Sequence, residues 1–156
     1  MKYALLTLLI LAVPAFARLG ETPEECVARY GSPISTDKAK QILAFQKSGL
    51  LIMAEFDGGR CACISFQHAD KDAAGEPAPF TAEEAELLRE ANSDGMKWII
   101  PLIRPPDLYL WTVKGEHRFT IWNAIDKRIV KIATAEHLKR ETAAKAAQEK
   151  EKFKGF

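Results

Sequence analysis

The chain has no surplus of charge in either sign: 22 Lys and Arg stand against 21 Asp and Glu, a formal net charge of +1. Gripping a nucleic-acid backbone needs a concentrated basic surface, so no nucleic-acid partner is expected. Short catalytic signatures are missing too. There is no G-x-S-x-G elbow, no H-E-x-x-H, no glycine-rich phosphate loop and no C-x-x-C. The three histidines, His68, His117 and His137, lie far apart, each with an acidic residue within two positions. Acid–base chemistry needs convergent groups, and such adjacent pairs read as solvated strand or loop ends. The sequence therefore names no catalytic residue, no cofactor and no metal ligand, and it favours a non-enzyme.

Apolar runs long enough to cross a membrane are lacking as well. The run from about Tyr3 to Val13 is shorter than the roughly 20 residues a spanning helix needs, and Pro14 interrupts its end. Lys2 before it and Ala-Phe-Ala ending at Ala17 complete the pattern of a cleaved signal peptide over residues 1–17. The expected product is periplasmic or secreted. Cys26 lies too far downstream to be a lipidated cysteine, so no membrane anchor is expected after cleavage. Cysteine is scarce and odd in number: Cys26, Cys61 and Cys63 would all meet an oxidising compartment, which predicts one bridge and one leftover thiol.

What is present is helix and strand grammar, used twice. "GETPEECVARYGSP" offers Thr22 as N-cap, Pro23 at the first helical position, Glu25 as capping-box partner, and Gly31 and Pro33 as stops. Cys26, Val27 and Tyr30 then share the inward face. "FTAEEAELLREANSDG" repeats the design with Thr81, Glu84 and a staple from Phe80 to Ala85, with Leu88 inward and Gly95 as stop. Behind each helix lies a strand-rich stretch, cut by turn signals at "KSG" and "DGG" in the first and near "KG" and "NAIDK" in the second. The predicted class is α+β: a short helix and an antiparallel three-stranded meander, repeated, then a helical tail. The expected boundaries are residues 18–70, a linker over 71–79, residues 80–134, and a charged tail over 135–156. In the tail, Glu136/Arg140 and Glu141/Lys145 fall at i, i+4 and the apolar stripe is thin, so a solvated helix is expected.

Strict strand alternation puts Cys61 and Cys63 on one face and Ile64, Phe66 and His68 on the other. With a two-residue turn in "DGG", the cysteines fall beside Ile52, Ala54 and Phe56, on the side to which Cys26 points. A three-residue turn would reverse the parity and set them beside Met53 and Glu55. The expected bridge joins Cys26 to Cys63 or to Cys61 and would constrain the unfolded chain by about 3–4 kcal/mol. A Cys61–Cys63 bridge is disfavoured, because residues two apart on a strand are about 6.6 Å apart with parallel side chains. The opposite face, with Met53, Ile64 and Phe66, is one candidate interface. The second is the aromatic strand carrying Tyr109 and Trp111.

The opening helix, with Gly20, Thr22, Val27, Gly31 and Pro33, resembles the G-x-T-x-x-x-V-x-x-x-x-G-x-P start of the SmpA/OmlA (BamE-like) envelope proteins. Cys26 stands in the slot of the motif valine, with Val27 one position later. The related fold of β-lactamase-inhibitor proteins repeats a helix-and-sheet unit in tandem. The resemblance implies a non-catalytic, protein-binding adaptor of the cell envelope. Two alternatives stay open: a thiol- or metal-dependent envelope enzyme centred on Cys61 and Cys63, and an inhibitor of a secreted hydrolase.

Overall fold

The computed structural model describes residues 19–101, 107–113, 118–123 and 125–154. The signal-peptide reading of residues 1–17, the turn at Lys114–Gly115 and His117 lie outside them. The first half runs α1 (Pro23–Tyr30), β1 (Ser35–Asp37), β2 (Ile42–Lys47), β3 (Leu50–Asp57) and β4 (Arg60–His68). The second runs α2 (Ala82–Ala91), β5 (Trp98–Ile99), β6 (Leu108–Val113), β7 (Arg118–Asn123) and β8 (Val130–Thr134), followed by α3 (Ala135–Lys152). The class is α+β. Among the described residues all strands join one 8-stranded antiparallel sheet in the order β1-β2-β3-β4-β8-β7-β6-β5. Each half thus brings four strands rather than the expected three, because Ser35–Asp37 and Trp98–Ile99 add short edges.

Local chemistry accounts for the elements. Both capping boxes form: Thr22 with Glu25, and Thr81 with Glu84. At the Ser48–Gly49 turn φ is 50° and 77°, and at Gly58–Gly59 it is 55° and 77°. Two consecutive positive φ values give the turn whose twist matches that of paired strands. The second helix ends at Ala91 with Asn92 as its cap, so Gly95 falls in the turn beyond it.

One sheet face, the inner, carries the core. Phe45, Ile52, Ile64, Phe66, Val130 and Ile132 are buried against Cys26 and Tyr30 of α1 and Ala85 and Leu88 of α2, with Phe80 between. Burying a side chain of this kind contributes about 1.5–3 kcal/mol. Val27 does not join them: it is 37% exposed, one residue round the helix from the Cys26/Tyr30 stripe. The halves fuse where Ile64 pairs with Ile132 and Phe66 with Val130 across β4 and β8.

The outer face is only partly covered. The first turns of α3 lie against it, with Glu141 paired to Lys131 at 2.5 Å and Arg140 to Asp57 at 2.5 Å. Arg140 was expected to pair with Glu136, but the helix folds back onto the sheet and offers it Asp57. The Glu141–Lys145 pair forms at 3.1 Å. No residue of α3 is buried, so its remainder is a solvated helix.

Candidate functional site

The site begins with an irregularity in β4. From the Gly58–Gly59 turn, Asp57 pairs with Arg60 and Phe56 with Cys61, but the next partners are Glu55 and Cys63. Ala62 is the extra residue of a β-bulge, and alternation resets across it. The cause lies on the strand's far edge. The Cys61 N–H donates to the Glu21 carbonyl at 2.7 Å and its carbonyl accepts from the Gly20 N–H at 2.7 Å, whereas from Cys63 onward the neighbour is β8. The bulge sits where the strand changes partners.

The two cysteines therefore face opposite ways, which overturns the strict-alternation reading. Cys61 lies with Phe56 on the inner face and Cys63 with Glu55 on the outer. Ile64 and Phe66 rejoin Ala54 and Ile52 in the core, and both are wholly buried. They are withdrawn from the candidate interface, and only Met53 of that trio, 45% exposed, reaches solvent.

On the inner face Cys61 lies in the core cluster beside Cys26. That contact and then burial push the Cys61 thiol far up, so it stays neutral. The Cys61 thiol also donates to the Cys63 carbonyl at 3.4 Å. The Cys26 thiol donates to the Glu21 carboxylate at 3.8 Å, and Arg29 Nε holds that carboxylate at 3.1 Å. All three cysteines are free thiols in this structure. Neither bridge expected from the sequence, Cys26 to Cys63 or Cys26 to Cys61, is formed; Cys63 lies on the opposite sheet face, and Cys61 shares the core cluster with Cys26.

On the outer face the thiol of Cys63, one carboxylate oxygen of Glu55 and a ring nitrogen of His137 lie within 4.8 Å of one another. His137 Nε2 stands 3.7 Å from Glu55 Oε2. Burial, then Glu55 and Glu141, push the Cys63 thiol up to about 12 against the opposing charge of Lys131. Burial lowers the His137 pKa and outweighs the pull of Glu55, favouring neutral imidazole. Burial would also lower Lys131, but its bond to Glu141 raises it on balance, so the amine stays charged and paired. A groove of ≈ 340 Å³ opens beside the cluster, lined by Lys40, Glu55, Asp57, His137, Arg140 and Glu141.

Farther along the same face is an apolar hollow of ≈ 190 Å³, bounded by Ile34, Ala44, Leu51, Met53, Ser65 and Ile129. Ile34 is 59% exposed and Ile129 45%. The other candidate interface is on the inner face. Tyr109 stacks on Trp111 at 6.0 Å and packs on Trp122 at 5.2 Å, and the Arg89 guanidinium lies 4.4 Å over Trp111. Tyr109 and Trp111 are thus a half-buried wall between α2 and the sheet. His68 packs on Phe80 at 4.3 Å and faces Glu84 at 3.6 Å.

Sequence reading missed the Glu55–Cys63–His137 grouping. Two features hid it: the bulge, which depends on pairing with Gly20 and Glu21, and the fold-back of α3. No helix among the described residues is long and apolar enough to cross a membrane. No protein-family model, curated protein or solved structure matches this chain.

Proposed function

We propose that this chain is an exported, non-catalytic module that binds a protein in the cell envelope through the outer face of its sheet. The observation that carries the reading is the hollow rimmed by Ile34, Met53 and Ile129, three large exposed apolar side chains converging on one recess. Scattered apolar residues on a surface mean little, but a contiguous patch around a formed recess is what a docking segment fills. Methionine suits such a surface because its side chain re-packs readily. The resemblance of the opening helix to the SmpA/OmlA proteins points the same way. In this reading the helix-led halves, α1 to β4 and α2 to β8, are tandem copies, related across the antiparallel β4–β8 seam.

The buried inner thiols then have a structural role. In an oxidising compartment Cys26 and Cys61 become a disulfide that staples α1 to the sheet. Protonated, buried thiols are poor nucleophiles, so thiol catalysis at Cys61 and Cys63 is disfavoured.

A photo-cross-linking residue placed at Met53 in intact cells tests the docking face. The control position is Leu87, 67% exposed on α2 and away from the outer face. One defined protein adduct from position 53 and none from position 87 is the expected outcome. No adduct, or the same adducts from both positions, would refute the reading.

A further inference from the structure

We propose that Glu55, Cys63 and His137 form a binding site for one Zn²⁺ ion, with its fourth position open to the groove beside α3. The donors converge from three elements: the end of β3, the far side of the β4 bulge, and the first turn of α3. One thiolate, one imidazole and one carboxylate suit zinc, whereas Mg²⁺ and Ca²⁺ want oxygen ligands alone.

Spacing separates this reading from a plain ion pair. Tetrahedral zinc with bonds of about 2.0–2.3 Å holds neighbouring ligand atoms about 3.3–3.8 Å apart. His137 Nε2 and Glu55 Oε2 are 3.7 Å apart, within that interval and too long for a good hydrogen bond. All three donors lie within 4.8 Å of one another, so small side-chain rotations would close the set.

The surroundings fit as well. Lys131 acts on Cys63 electrostatically, and Glu141 pairs with Lys131 at 2.5 Å. Arg140 is occupied by Asp57. Glu55 and His137 line the groove, giving the ion a path in and leaving room for a water as fourth ligand. The Cys63 S–H bond breaks as the sulfur–zinc bond forms, and one proton passes to solvent. This site is independent of the Met53 hollow, and either assignment can fail without the other.

The test is titration of the purified full chain with Zn²⁺ by calorimetry and with Co²⁺ by absorption. The expected result is one ion per chain, proton release on binding, and a thiolate-to-cobalt charge-transfer band. Cys63→Ser should abolish that band, and His137→Gln and Glu55→Gln should each weaken binding by more than about tenfold. Circular dichroism of each metal-free variant checks folding, and His137→Gln, outside the hydrophobic core, keeps the test decisive if Cys63→Ser misfolds. The double variant Cys26→Ser/Cys61→Ser should keep the band. Absence of a stoichiometric site, a band that survives Cys63→Ser, or one that is lost with Cys26 and Cys61 would overturn the proposal.

Discussion

At the scale of single residues, Ala62 matters more than its small side chain would indicate. As the extra residue of the bulge it turns Cys63 away from Cys61 and returns Ile64 and Phe66 to the core. Glu84 shows a second residue-scale effect. The Thr81 N–H and hydroxyl donate to its carboxylate at 2.8 and 2.9 Å, and His68 stands nearby. The Thr81 N–H bond leads in holding its pKa below the usual 4.5, against the opposing effect of burial. A carboxyl depressed in the fold stabilises fully above its unfolded pKa and loses that contribution as pH falls through the folded value. Glu84→Gln should therefore lower stability near neutrality, where the carboxylate contribution is fully present, and match the parent more closely well below pH 4.5, as measured by denaturant midpoints across pH. This capping partner was legible from residue type and spacing. The surroundings of Cys63 were not, because they depend on which chain segment lies along the far edge of β4.

At the scale of elements, short-range rules did most of the work. Caps, stops and two-residue turns are satisfied by neighbours in sequence, so α1, α2 and the β2–β3–β4 meander could be read from the chain. Replacing the cap of α1, Thr22→Ala, removes the side-chain bond to the Glu25 N–H and should cost about 1 kcal/mol, read as a lowered melting temperature. The short edges β1 and β5 escaped prediction, since two or three residues hold too little alternation to signal a strand. The third helix was legible as a helix but not as a neighbour. Its docking rests on Lys131 and Asp57, partners that no local pattern exposes.

At the scale of the whole molecule, one antiparallel sheet separates two kinds of surface. Its inner face holds the core and the Cys26–Cys61 contact; its outer face holds the Met53 hollow and, beside α3, the cluster around Cys63. The sequence implied the α+β class and helix-led halves, but not the seam between β4 and β8 that fuses them. That seam ties the cysteine assignment to the fold, because β8 takes over as the neighbour of β4 just beyond the bulge. The division of cysteines between faces is the central claim, and a disulfide map of the purified folded protein after mild oxidation tests it most directly. Differential alkylation and peptide mass analysis should find Cys26 joined to Cys61 and Cys63 as the single free thiol. A bridge that includes Cys63, or three free thiols, would contradict the account.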